Sequence, residues 1–150
     1  KKTQVCGIAV TPRIDEVPDN VFHTPSRINS TWGGNLTDMV RSTRYLEIIQ
    51  EENLLDNVKL QGDNLYSELK NLQMDFPKYI SNIRHRGLFA AFDLPSADIR
   101  KRFLTNAFNN GLIILPSGEK SVRFRPSLNI TKDEISDGFE VIRKSLVALD

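Results

Sequence analysis

The chain has 150 residues and is short of several features that would announce a function. It has one cysteine, Cys6, so it forms no internal disulfide, and a reducing compartment, the cytoplasm, is expected. Its two histidines, His23 and His85, stand far apart in sequence, which argues against a zinc site, and no metal is expected. No apolar run approaches the roughly 18 residues of a membrane span. Charge of one sign is also missing. The 20 basic and 19 acidic side chains are interspersed and leave a net charge of +1, which argues against a nucleic-acid or polybasic membrane surface. There is no serine-triad signature, Walker loop or GxGxxG, no internal repeat and no low-complexity tract. No methionine opens the chain: Lys1 and Lys2 lead straight into Thr3, so a segment of a longer polypeptide, or a processed product, is expected.

What is present suits one compact domain with a piece of another. Residues 1–33 hold Gly7, Pro12, Pro18 and Pro25 among polar residues and show no long periodicity, so short strands and loops of a larger fold are expected. At residue 34 the character changes. Asn35 is a helix cap, with Asp38 placed almost as in a capping box, and Leu36, Met39, Val40, Leu46 and Ile49 form a helical stripe. After a break near Glu51, Glu52 and Asn53, a second helix is expected from about Leu55 to Met74, stopped by Pro77. Residues 87–94 read as a buried strand. Ser96 caps a third helix that Gly111 ends, with Ile99, Phe103, Ala107 and Phe108 on one face. Residues 112–115 read as a short strand closed by Pro116. Residues 122–125 alternate apolar and charged, as a strand with one wet face does. Thr131 and Glu134 form a capping box before a last amphipathic helix carrying Ile135, Phe139, Ile142 and Leu146. The expectation is an α/β chain: residues 1–53 as the end of a larger domain with a linking helix, and residues 54–150 as an α+β domain. That domain would have a three-stranded, largely antiparallel sheet covered by helices.

Three groups of residues have chemistry to offer, each beside a plainer reading. Ser30 and Thr31 supply hydroxyls, and Gly33 and Gly34 let the backbone approach an anion at a helix N-terminus; the same stretch also suits a simple glycine-rich helix entry. Lys1 and Lys2 are imine-forming nucleophiles if a pKa is lowered, and solvated charge otherwise. Arg123 and Arg125, two residues apart on one strand face, make a fork for a carboxylate, or a pair of surface arginines. Arg84, His85 and Arg86 read as a solvated turn.

The order of these groups carries a resemblance. "KKTQVCGI" at the start, "DEVPDNVF" and "SRINSTWGGNLTDMVR" next, and "VRFRPSLNI" near the end together resemble the C-terminal part of the class III, pyridoxal-phosphate-dependent aminotransferases, over nearly the whole chain. The resemblance implies the fold-type I transferase architecture, with residues 1–53 ending the cofactor domain. It implies pyridoxal 5'-phosphate as cofactor, with Lys1 (or Lys2, one place along) as the lysine that forms an imine with it and shuttles the proton. It implies that Ser30 and Thr31 bind the cofactor phosphate of a partner subunit in a homodimer with shared sites. Arg123 matches the arginine that binds a substrate carboxylate, supported by Arg125. The pieces look like the lysine-specific branch, which implies transfer of the terminal amino group of L-lysine to 2-oxoglutarate. "STWGGN" and "RFRP" are shared with 4-aminobutyrate aminotransferases, so a 4-aminobutyrate or ornithine-type enzyme is the alternative within the class. A non-catalytic interaction fragment is the alternative outside it. The family's N-terminal majority is missing, and the 150 residues alone are expected to be inactive.

Overall fold

The computed structural model describes residues 7–28 and 31–149. The chain divides into two compact units, Lys1–Glu52 and Asn53–Asp150.

The described part of the first unit has no strand; it opens on a short 3-10 helix, Pro12–Glu16, and a series of turns. The turns are organised by Asn20, which is 4% exposed. Its amide nitrogen donates to the carbonyls of Ile14 and Val17, and its Oδ1 accepts from the backbone N–H groups of Phe22 and His23. One side chain thus satisfies four backbone groups in a stretch that has no ladder to satisfy them. Helix α1 (Leu36–Glu51) starts where Asn35 accepts from the N–H of Thr37. Asp38 pairs with Arg41 instead of closing a capping box. The stripe of Leu36, Met39, Val40 and Leu46 is helical but 54–75% exposed, and no residue of α1 is buried.

Asn53 opens the second unit in the left-handed region, at φ 50°. Asparagine tolerates that region better than most residues, and the turn explains the break read at this place. Helix α2 (Leu54–Asp75) follows, then β1 (Ser81–Arg86), β2 (Phe89–Asp93), α3 (Ala97–Asn109), β3 (Leu115–Ser117), β4 (Ser121–Phe124) and α4 (Lys132–Val147). The sheet is antiparallel throughout, as expected, but has four strands in the order β1-β2-β4-β3. The extra strand is β1. Its residues, Ser-Asn-Ile-Arg-His-Arg, hide no apolar alternation, because almost all of them are exposed. β3 begins where the expected strand ended: it runs through Pro116, which an edge strand accepts because it needs no ladder donor on its outer side.

Ala90 and Phe92 of β2 and Val122 of β4 are buried at 0–3% exposure together with Leu65, Leu69 and Leu72 of α2, Phe103 of α3, and Phe139, Ile142 and Leu146 of α4. Phe92 meets Phe103 edge-on at 6.0 Å, and Phe124 stacks on Phe139 at 5.8 Å, so α3 and α4 cover the same sheet face. Each fully buried phenylalanine contributes on the order of 2–3 kcal/mol of transfer free energy. Phe108, expected on the inner face of α3, is 66% exposed. The helix ends are closed by side chains. Ser96 caps α3 and Thr131 with Glu134 caps α4, as the sequence indicated. Asn106 and Arg102 of α3 donate to the carbonyls of Ser145, Ala148 and Leu149, where α4 leaves its last acceptors unmet.

Candidate active site

β4 lies between β2 and β3, with Arg123 opposite Ala91 on one side and Leu115 on the other. Val122 is fully buried and Phe124 packs on Phe92 and Phe139, so the alternating pattern gives the strand one apolar side, and Arg123 falls at the alternate position. Arg123 is half-buried; its Nε is inaccessible and has no hydrogen-bond partner. Among the described residues, neither Arg123 nor Arg125 makes an ion pair, whereas Arg84 and Arg143 are each tied to carboxylates. A guanidinium fixed by two neighbouring strands and short of an acceptor is a ready partner for a carboxylate. Arg125 does not share the strand: β4 ends at Phe124, and Arg125 lies exposed in the following loop. The two arginines are therefore not a fork on one strand face.

Where β4 gives way to that loop there is a cavity of about 270 Å³, lined by Arg123, Phe124, Arg125, Pro126 and Ile130, by residues 112–115, by Leu65 of α2 and by the α4 residues Glu134, Ile135, Gly138, Phe139 and Ile142. Its wall is mainly apolar, and the charged residues along it are Arg123, Arg125 and Glu134. The Glu134 carboxylate is held below its usual range by the backbone N–H and then the hydroxyl of Thr131, so it is a committed cap.

Arg84, His85 and Arg86 do not form a turn; they are strand residues of β1. Arg84 bonds to Asp93 Oδ1 at 2.9 Å and to Ser121 Oγ at 2.8 Å, while Asn82 donates to Asp93 Oδ2 at 2.9 Å and Ser121 to Oδ1 at 2.6 Å. Burial alone pushes the Asp93 carboxyl up, but the bonds from Ser121, Asn82 and Arg84 outweigh it and hold it below its ordinary value. This knot joins β1, β2 and β4 two residues from Arg123. His85 stacks on Tyr66 at 4.1 Å.

In the first unit, Thr31 is exposed in a turn that runs to Asn35, whose N–H bonds to the Trp32 carbonyl, and Gly34 takes φ +74°. Among the described residues the Thr31 hydroxyl has no hydrogen-bond partner. Lys1, Lys2 and Ser30 lie outside the described residues. Thr31 and Arg123 belong to different units.

Sequence reading passed over Asn57. It donates to the carbonyls of Leu128 and Ile130 at 2.8 and 3.1 Å, across the loop that follows Arg123. A signal was present: Asn57, Gln61 and Asn64 recur at helical spacing as a line of amides. Among the described residues no group of three or more metal-ligating side chains occurs, and no helix is long and apolar enough to cross a membrane.

Residues 8–146 match the family described as aminotransferase class-III. The L-lysine-epsilon aminotransferase of Mycobacterium tuberculosis is 46% identical over 146 residues, covering 97% of this chain and 32% of that protein. A solved lysine aminotransferase from M. tuberculosis superposes with a TM-score of 0.87 at 44% identity, covering 99% of this chain and 34% of that one. The mitochondrial 4-aminobutyrate aminotransferase of Mus musculus is 39% identical over 104 residues, 69% of this chain and 21% of that protein. The chain thus spans about a third of the length of the lysine aminotransferases it matches. With a family match over 139 of its 150 residues (8 to 146), the chain belongs to the class III aminotransferases.

Proposed function

We propose that this chain is the C-terminal part of an enzyme that transfers the terminal amino group of L-lysine to 2-oxoglutarate with pyridoxal 5'-phosphate. One observation carries the reading: a half-buried Arg123 without an acceptor, on the central strand of a chain 46% identical to an L-lysine-epsilon aminotransferase over 97% of its length. The 4-aminobutyrate relative is less similar over a shorter stretch.

The residues present suit the cofactor. Its phosphate needs donors, and Thr31 offers an uncommitted hydroxyl in a turn opened by Gly34, next to a helix N-terminus. When bound, pyridoxal phosphate supplies the electron sink for carbon–hydrogen cleavage. Thr31, with Ser30, would hold the phosphate, and in this reading the phosphate belongs to the partner of a cytoplasmic homodimer. Lys1 Nζ would carry a proton between the substrate carbon that bears the amine and C4′ of the bound cofactor. Arg123 would bind a substrate carboxylate, a group that donor and acceptor both carry, and so help to place the reacting end. Positioning of this kind contributes several kcal/mol to rate, on the order of 7 kcal/mol in well-oriented systems.

The test uses the full-length enzyme with L-lysine, L-ornithine and 4-aminobutyrate as donors. Lysine is expected to give the highest kcat/KM, and Arg123→Ala to lower that value at least tenfold through KM, one charge-assisted bond being worth about 1.5–3 kcal/mol. Turnover of 4-aminobutyrate or ornithine without lysine would move the enzyme to another branch. An unchanged KM in Arg123→Ala would remove Arg123 from the site.

A further inference from the structure

We infer that Asn57, on the first turns of α2, is a positioning residue for carboxylate binding. Its amide clamps the loop that carries Arg125 and walls the cavity at Arg123, and this inference rests on the reading of Arg123 given above.

The loop between β4 and α4 has little to hold it. Residues 125–130 form neither strand nor helix, and one internal bond, from Ile130 N–H to the Ser127 carbonyl at 3.3 Å, closes the turn at Leu128 and Asn129. Asn57 supplies the missing restraint. Its Nδ2 donates to Leu128 O and Ile130 O, contacts 71 and 73 residues away in sequence. Both partners are carbonyls, so only the NH₂ end of the amide can face them, whichever way the group is drawn. Behind it, Gln61 Nε2 donates to Asn57 Oδ1 at 3.4 Å and Asn64 donates to Gln61 Oε1 at 2.8 Å. Gln61 is 7% exposed, so the middle of this relay is shielded from water, where such bonds strengthen one another. The relay is anchored on the same side of the helix that, one turn on, buries the core residues Leu65, Leu69 and Leu72.

The clamp spans the point where strand geometry stops. Arg123 is held by pairing with Ala91 and Leu115; two residues later that support has ended, and the cavity wall at Arg125, Pro126 and Ile130 takes its position from the loop. Helix α4 starts at once with the Thr131 cap, so the loop is fixed at its far end as well. Among the described residues, Asn57 is the α2 side chain that hydrogen-bonds to this stretch.

The test uses the full-length, cofactor-loaded enzyme with Asn57→Ala, and Asn57→Asp, which keeps the volume but has no amide donor. Amide hydrogen exchange over residues 125–131 is expected to speed up about tenfold or more, with β4 unchanged. KM for L-lysine is expected to rise about three- to tenfold, the equivalent of one net hydrogen bond, with kcat within about twofold. Exchange unchanged in the loop, or a lowered melting temperature with an unchanged KM, would overturn the inference, as would Asn57→Asp behaving like the parent. Arg123→Ala run in parallel separates the two claims. If it leaves KM unchanged, the carboxylate reading fails at Arg123, while loop exchange still decides the clamp. If Asn57→Ala does not fold, Asn57→Asp carries the same measurements.

Discussion

Gly62 of α2 and Gly87 of the β1–β2 turn touch backbone to backbone. A Cβ built on Gly62 would lie 2.6 Å from Gly87 Cα, 2.7 Å from its carbonyl carbon and 3.0 Å from its oxygen. Ordinary carbon–carbon contacts are about 3.5–4.0 Å, so Gly62→Ala requires a separation of roughly 1 Å. Neither side yields cheaply. Gly87 sits at φ +55° and faces α2 at Val58 as well, whose Cγ1 would be 2.8 Å from a Cβ there, so the turn is seated on the helix at two points one turn apart. Moving α2 instead draws Leu65, Leu69 and Leu72, all at 0–2% exposure, away from the sheet. Overpacking of this kind costs about 1–3 kcal/mol, and a clash with fixed backbone belongs at the upper end. Alanine returns about 1 kcal/mol of helix propensity. The net expectation is a loss of about 2 kcal/mol, or roughly a 10 °C drop in melting temperature for a unit of this size.

Gly138 of α4 is the control, because nothing lies within 4 Å of a Cβ built on it. Gly138→Ala makes the same chemical change and should stabilise by about 0.5–1 kcal/mol. Thermal unfolding of parent and variants, followed by circular dichroism at the helix band, checks both signs. A Gly62→Ala chain as stable as the parent would refute the reasoning, because the close approach would then have no energetic consequence.

Two further outcomes follow from the structure. Asp93→Asn should cost about 1–2 kcal/mol at neutral pH, because an amide nitrogen would face Asn82 Nδ2. The Asp93 carboxyl titrates below its ordinary value in the folded chain, so its contribution is full above about pH 4 and is lost as pH falls through the depressed value. Acid denaturation of the variant should therefore be shallower, and superimposable acid profiles would count against the Asp93 knot. If the active site is shared across a homodimer as proposed above, mixed full-length dimers of one Lys1→Ala and one Thr31→Ala subunit should regain activity over the parent mutants; no gain over the parents would argue against sharing.

Much of the helical frame was legible because its signals are local. Asn35, Ser96 and the pair Thr131 and Glu134 mark helix starts by side chains that reach backbone groups two or three residues away. Phe103, Phe139 and Leu146 show burial by spacing alone. β1 was not legible. Its stability comes from its pairing with β2, from Arg84 on Asp93 and Ser121, and from Tyr66 against His85, all partners outside the strand. A charged hexapeptide has no period by which to show this. The position of Arg123 could be read from its alternation with Val122 and Phe124, whereas Arg125 was misplaced because the charge pattern runs on past the strand's end at Phe124, and Pro126, which has no N–H for a ladder, follows Arg125 at once. Asn57 reaches across more than 70 residues, and no local rule points to its acceptors.

The two margins of the sheet have a consequence for solubility. β3 is three residues long and has Pro116 at its middle, so it offers a newcomer one amide fewer than its length suggests. β1, at the other margin, is distorted between Ser81 and Arg84 and carries Arg84, His85 and Arg86. A foreign strand approaching either side meets a missing donor, or a bend lined with cations, before it can extend the ladder. Newly made chains can therefore complete this sheet without recruiting one another edge to edge, even though the stretch before β3, Leu112-Ile113-Ile114, is among the most apolar in the sequence.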